Sequence, residues 1–394
     1  MPNNTLVILP SLGANLSPSG SILLTEKFVS GVRMTVDHWD GPVEVLIQKD
    51  NANHSGNLDD VWVKLEDLPF RVTVADFHSP EAKSVIARAA VVQGGADHNL
   101  NHMPGWCSEL GAHYVMVSEY TLRTRWQIID AERLNPLVTW RRKVWAWRQE
   151  RANQTAVKAA AAVQCNGTPT FDAYRPLNER AMLYFDSRVT ADMLPAEPRL
   201  AVREVLWSSA KPMRLAFSGR LNRMKGVDHL PLVAQALRDR GVPFTMDIYG
   251  DGPLVAELQK TITRLGLQDT VRLGGVLDFA SELMPTVRDA VDLFVCCHRQ
   301  GDPSCTYLET LACGVPIVGY GNEAFEGLMR RCPAGESVPM NDWSSMAAVI
   351  EKLALDPRRF AEMARIGLAF AREHTFEHEF KRRIEHMAQL LASD

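Results

Sequence analysis

Phe217-Ser218-Gly219-Arg220-Leu221, with Lys225-Gly226 just beyond it, and Pro303-Ser304-Cys305-Thr306-Tyr307-Leu308-Glu309-Thr310-Leu311-Ala312-Cys313-Gly314-Val315-Pro316 are the stretches that decide the fold. In each, an apolar strand runs into a polar turn that opens a helix, which is the repeating step of a doubly wound α/β domain. The pattern continues on both sides. Arg214–Ser218 reads as a strand and Asp228–Arg240 as a helix, with Asp228 as N-cap and Gly241 just past the end. Phe244–Tyr249 is a strand that meets Gly250-Asp251-Gly252-Pro253 and a helix to Leu265. Val271–Leu273, Leu293–Cys297 and Pro316–Gly319 extend the parallel series.

The two turns share a chemistry. Arg220 offers a planar fork of donors to phosphate oxygens, and Lys225 a compact charge. Gly219 and Gly226 let the backbone approach a ligand closely, and the helix that follows points its positive end at the same space. Ser218 closes the strand that leads there. In the second stretch Ser304 reads as an N-cap, which leaves the amides of Cys305 and Thr306 free to face an anion. Glu309 lies one turn inside that helix, where its oxygens can accept two vicinal hydroxyls. A surface carboxylate favoured by the helix dipole would look the same. The apolar neighbours Leu308, Leu311 and Ala312 instead imply a buried helix, and a buried carboxylate needs a partner. Together the two turns suit a nucleoside diphosphate.

The same alternation is legible from the amino terminus. Thr5–Leu9 is a strand that breaks at Pro10 into a polar loop reaching Gly20. Ile22–Val36 is expected as a helix and Val43–Gln48 as the next strand. Further strands are expected at Val72–Ala75, Ala89–Gln93, Tyr114–Val117 and Ala162–Cys165, and a long helix at Arg141–Ala161. Pro195, Pro198 and Pro212 mark an interdomain linker. The chain therefore divides into a first domain over 1–195, a linker at 196–212, a second domain over 213–371 and a tail at 372–394. In the tail, Phe376, Phe380, Ile384, Met387 and Leu391 fall at helical spacing and read as a packed stripe.

Composition bounds the function. A chain of 394 residues exceeds one ordinary core. Hydrophobic residues at 46% and charged residues at 23% are those of a globular protein. A net charge of −4 argues against nucleic acid as a general partner. The seven cysteines are scattered without paired C-x-x-C spacing and read as reduced thiols in a cytosolic protein, with Cys296 and Cys297 as packing residues. The start of the chain lacks the pattern of a signal peptide. No Asp-x-Asp triplet or metal-ligand spacing occurs, so no metal or other cofactor is expected.

The motifs resemble those of the family 4 (group 1) glycosyltransferases, which have the GT-B fold. The resemblance covers about 210–325 and rests on Ser218-Gly219-Arg220-Leu221 with Lys225-Gly226, on Gly250-Asp251-Gly252-Pro253, and on Leu308-Glu309-Thr310-Leu311-Ala312-Cys313-Gly314-Val315-Pro316. It implies two Rossmann-like domains facing across a cleft, with the first taking an acceptor, the second a nucleotide-sugar donor, and the tail helix crossing back to the first. It implies that Arg220 and Lys225 hold the donor diphosphate, that Glu309 binds the ribose, and that the base lies near Leu273-Gly274-Gly275-Val276. The donor would be UDP- or GDP-linked, and the transfer retaining and metal-independent.

The sequence departs from the family at one point. Where the family has a first glutamate that contacts the donor sugar, this chain has Gly301 with Asp302 beside it. Asp302, or backbone amides near Ser304, Cys305 and Thr306, are the expected substitutes. In the first domain, Gly20 is the expected counterpart of a glycine loop that approaches the diphosphate. Asp97 and His98 are expected near the position of a family histidine, and Glu119 is expected at the cleft as an acceptor contact or base.

The expected reaction is sugar transfer to a hydroxyl of a glycan or lipid-linked oligosaccharide in bacterial surface polysaccharide synthesis. The alternatives are a non-catalytic nucleotide-sugar-binding protein and a GT-B nucleotide-sugar 2-epimerase. The basic, aromatic segment Trp140-Arg141-Arg142-Lys143-Val144-Trp145-Ala146-Trp147-Arg148 fits either ordinary packing or an anionic membrane surface. The expected location is therefore the cytoplasm, with peripheral contact at the inner face of the cell membrane.

Overall fold

The computed structural model describes residues 4–18, 20–50, 60–132, 134–195 and 211–392. Most of the expected linker, residues 196–210, lies outside the described residues. The second domain is a six-stranded parallel sheet in the spatial order 271–275, 244–249, 213–218, 293–296, 317–320, 335–338. The central strands Met213–Ser218, Leu293–Cys296 and Ile317–Tyr320 are apolar on both faces through most of their length, as the middle of a parallel sheet covered by helices on both sides requires. The chain starts in the middle, works outward to one edge, and returns to work outward to the other. The reversal falls between strands Met213–Ser218 and Leu293–Cys296. Ligands of such sheets bind at the carboxyl end of this switch point, and the turns that follow these two strands are the two anion-binding stretches of the sequence.

The first domain repeats the order. Strands 181–184, 162–166, 113–118, 91–95, 6–9, 43–49 and 71–74 lie side by side and parallel. Its own reversal falls between Leu6–Leu9 and Val91–Gly95. The structure corrects the expectation of a helix over Ile22–Val36. Ser21–Thr25 is a strand, paired antiparallel with Gly13–Leu16 on one side and Asp60–Lys64 on the other. The helix begins only at Glu26, capped by the Thr25 hydroxyl, and runs to His38. The run Ile22-Leu23-Leu24 is buried on both faces, and a short apolar run of this kind has no period that separates strand from helix.

The carboxyl ends of the two sheets face each other. Gly167, at φ +73, lies so close to Pro303 that a Cβ there would sit 2.5 Å from the proline Cβ. Thr124 donates to the Gly301 carbonyl at 3.2 Å, and the Gly301 amide donates to Gln127 at 2.7 Å. Glu323 accepts from Arg123 and Thr121 across the same gap. Phe185 and Val189 pack in the core of the second domain, so the chain enters that core before residue 195. The helix Phe376–Leu391 returns to the first domain. Ile384, Met387 and Leu390 join its core, Phe380 abuts Gly31, and Arg383 donates to Gln164 at 2.9 Å.

Candidate functional site

The turn after Met213–Ser218 is fixed by close backbone approach. Gly226 has φ +63, and a Cβ on it would lie 1.9 Å from the Cys297 carbonyl oxygen. A Cβ on Gly250, at φ +124, would lie 2.0 Å from the Gly219 carbonyl oxygen. Only glycine fits either place. These contacts press the turn against the segment that follows Leu293–Cys296 and against the end of the neighbouring strand.

Lys225 is consequently buried, 6% exposed, and aimed across the switch point. Its ammonium donates to Asp302 Oδ2 at 3.1 Å and to Ser304 Oγ at 3.3 Å. Ser304 is the N-cap residue of the helix Cys305–Ala312, but its hydroxyl faces Lys225 and makes no capping bond. The first amides of that helix are thus left to whatever lies in front of them. Asp302 is 8% exposed and its Oδ1 has no partner among the described residues. Gln300 Oε1 and both ring nitrogens of the fully buried His298 share that condition. Burial, with Lys225 adding to it, pulls the His298 imidazole well below its usual value, so the ring is neutral at pH 7. Three polar side chains at alternate positions 298, 300 and 302 therefore hold unused hydrogen-bonding capacity beside one lysine.

Glu309 is 6% exposed on the same helix and accepts from Arg188 Nε at 2.9 Å. The Arg188 guanidinium also covers the Phe279 ring at 3.9 Å. Arg220 and Val276 are exposed, and Gly275, at φ +70, is open on its Cβ side. Leu308 is committed to the core by its side chain. Asp228 does not cap a helix, contrary to expectation. Its carboxylate takes Arg299 at 2.9 Å, and the α-helix starts at Leu230 after a single 3-10 turn.

Across the cleft the structure brings up Lys27, which the sequence did not single out. It stands in the first turn of Glu26–His38, pairs with Asp186 and reaches Cys305 Sγ at 3.4 Å. Desolvation opposes its charge, but Asp186 outweighs it and the Lys27 value is raised. Desolvation likewise opposes the Asp186 carboxylate, and Lys27 outweighs it, so that group is lowered. Burial and then Asp186 push the Cys305 thiol up to about 12, which leaves it protonated.

Glu119 is open to cleft solvent yet walled in by both domains. That crowding, with Asp186 adding repulsion, raises its carboxyl. Burial also raises the neighbouring Tyr120 phenol; Glu119 and Asp302 add to this, and Arg220 pulls it back.

The other first-domain expectations fare differently. Gly20, at φ +82, is the turn residue between strands Gly13–Leu16 and Ser21–Thr25. It lies at the opposite end of Ser21–Thr25 from Lys27, about 17 Å of extended chain away. His98 lies edge-on to Trp145 at 5.6 Å and beside the Asp97 carboxylate, and among the described residues neither makes a hydrogen bond or ion pair with Lys225 or Glu309. Asp97 caps a short turn through Asn99 and lines a cavity of about 200 Å³ with Ser11, Gln48, Lys49, Asp50 and Phe77. This cavity sits at the first domain's own switch point. Among the described residues, no group of three or more His, Cys, Asp or Glu side chains is disposed to hold a metal ion.

Residues 201–367 match the family model of the Glycosyl transferases group 1. Alpha-D-kanosaminyltransferase of Streptomyces kanamyceticus is 29% identical over 166 residues, 42% of each chain. The GDP-mannose-dependent alpha-(1-6)-phosphatidylinositol monomannoside mannosyltransferase of Mycolicibacterium smegmatis is 26% identical over 54% of this chain and 56% of its own. The chain thus spans about half the length of these curated relatives. Among solved structures, Anabaena HepE in complex with UDP superposes over 99% of this chain and 100% of its own, with a TM-score of 0.67 and 15% identity. The lipopolysaccharide outer core galactosyltransferase WaaB superposes over 99% of both chains, with a TM-score of 0.61 and 12% identity. These likenesses show the GT-B fold.

Proposed function

We propose that this chain, a member of the group 1 glycosyl transferases by its residues 201–367, moves a sugar from a nucleoside diphosphate to a hydroxyl acceptor. One observation carries the reading: the switch point of the second sheet holds a buried lysine, an uncapped helix N-terminus and a buried carboxylate within one short segment. The diphosphate lies against Arg220, Lys225 and the amides of Cys305 and Thr306. Glu309 takes the ribose hydroxyls, exchanging part of its bond to Arg188, and the base rests on Gly275 and Val276. Asp302 Oδ1, with Gln300 and His298 behind it, meets the donor sugar in place of a side chain at Gly301.

In the reaction the bond from the anomeric carbon to the leaving diphosphate breaks, and a bond from that carbon to the acceptor oxygen forms. The acceptor proton passes to a phosphate oxygen of the leaving group, on the same face, so configuration is retained. Arg220 and Lys225 stabilise the charge that develops there. No protein nucleophile or metal is required. Glu119 orients the acceptor hydroxyl. The cavity at Asp97 is smaller than the roughly 300–1,000 Å³ of sites that enclose a whole ligand. It therefore takes one unit of a glycan or lipid-linked acceptor, in the cytoplasmic assembly of a surface polysaccharide.

Calorimetry with UDP-, GDP- and dTDP-sugars, followed by incubation with oligosaccharide and lipid-linked acceptors, tests the proposal. UDP leads the panel because HepE was solved with it. Heat of binding and a new glycosidic product are expected. An interconverted donor identifies an epimerase, binding without turnover identifies a sensor, and no heat from folded protein ends the reading.

A further inference from the structure

The helix Pro136–Ala159 buries only its inner side. Ala146, Glu150, Asn153, Ala156 and Val157 face the domain, where Tyr174 donates to Glu150 at 3.0 Å. On the outer side Leu137 is 67% exposed, Trp140 63% and Trp147 42%, with Arg141, Arg148 and Arg151 between them. At 100° per residue these positions form one stripe, about 21 Å long from 137 to 151. Arg151 lies over the Trp147 ring at 4.6 Å, so cation and ring present themselves together. Arg142 and Lys143 are held by Glu132 and Asp130, whereas Arg141 and Arg148 have no acidic partner among the described residues.

Charge is what names the occupant. The protein as a whole carries −4, yet this helix holds Arg141, Arg142, Lys143, Arg148, Arg151 and Lys158 against the single, buried Glu150. We infer that this outer face lies flat on a bilayer surface rich in anionic lipid headgroups. Tryptophan rings suit the headgroup level, because they present an apolar body and one polar N–H. The arginines between them meet lipid phosphates, while their stems add apolar contact. A convex stripe of this length matches a plane, whereas a protein partner would need a matching groove. Among the described residues no helix is long and apolar enough to cross a membrane, so the contact is monotopic.

Orientation follows, resting here on the acceptor reading of the first-domain cavity. Trp145 borders the stripe and touches His98, next to Asp97 in the cavity wall. A chain seated on lipid through this helix thus opens that cavity beside the surface where a lipid-linked hydroxyl would stand.

The test is co-sedimentation with phosphatidylglycerol–phosphatidylcholine vesicles, compared with pure phosphatidylcholine, at low and high salt. The wild-type chain is expected to partition at least ~10-fold better onto the anionic vesicles, and to lose this advantage in high salt. Trp140→Ala/Trp147→Ala and Arg141→Glu/Arg148→Glu should each weaken partitioning ~10-fold or more. Their circular dichroism and UDP calorimetry should match wild type, since none of these residues belongs to the proposed donor site. A wild-type chain that ignores anionic vesicles overturns the inference, as does equal binding to both vesicle types or unchanged binding by both variants. Self-association abolished by the same variants, with vesicles ignored, would assign the face to a second copy. Vesicle binding does not depend on nucleotide, so this inference and the donor-site reading fail separately.

Discussion

The two domains share one strand order and differ in what their switch points hold. In the second domain, short strands lead directly into short turns, and the expected donor residues Lys225, Ser304 and Glu309 stand together at the reversal. In the first, strands Gly13–Leu16 and Ser21–Thr25 are inserted between the opening strand and its helix. The insertion places Gly20 at the far end of Ser21–Thr25 from the helix and leaves Lys27, in the first turn of that helix, facing Cys305. Where the turn is short, local sequence decides which residue lines the switch point. Where the chain detours, only the packing decides.

The comparison can be broken most sharply at Gly226. Gly226→Ala adds a Cβ 1.9 Å from the Cys297 carbonyl oxygen at a positive φ, and should cost more than ~3 kcal/mol. A thermal melt that stays within a few degrees of wild type would show that the turn is not held by backbone contact. Next is Lys225→Ala, which removes the charge-assisted bond proposed to the donor and leaves Asp302 without its cation. Nucleoside diphosphate affinity should fall by roughly 1.5–3 kcal/mol in calorimetry. An unchanged affinity would remove Lys225 from the phosphate site.

Glu309→Gln should cost about 1–2 kcal/mol in UDP affinity and narrow the preference for UDP over its 2′-deoxy analogue. If both nucleotides bind the variant as they bind wild type, the ribose assignment is wrong.

Lys27 and Asp186 extend the comparison to pH. The Asp186 carboxyl is lowered in the folded protein, so its contribution to stability is present above its unfolded value near 4 and is lost as pH falls through its folded value. The Lys27 value is raised, so that contribution is full below about 10.5 and is lost only at higher pH. Asp186→Asn should therefore cost about 1–2 kcal/mol in urea melts at pH 7, and this cost should shrink steadily as the melts move below pH 4. A cost that stays constant on acidification would mean the pair is not what holds Lys27. The smallest effect is expected from His98→Ala. Turned toward Trp145, His98 should change donor affinity by less than ~0.5 kcal/mol. A large loss would return that residue to the donor site.

Most of the second domain was legible. Phe244–Tyr249 has the bounds read from its apolar run, and neighbouring strands shift by a residue or two. The reading failed where competing signals were equal. Ile22-Leu23-Leu24 has no period, and Asp228 looked like a cap but was taken by Arg299 from a distant turn. Asp186 and Arg188 carry no local signal, because their partners Lys27 and Glu309 lie 159 and 121 positions away. The alternating His298, Gln300 and Asp302 were a findable signal: buried polar side chains directly after a buried strand.

The sequence by itself determined the α/β alternation, the glycines that let two turns close and the identity of the charged groups in them, because each follows from neighbours within a few residues. Tertiary structure alone decided that Lys225 would meet Asp302, that Arg188 would hold Glu309 and that Lys27 would face Cys305 of the second domain. Those pairings join groups far apart in the chain. Their energies depend on burial and distance, which exist only once two sheets have folded and closed on each other.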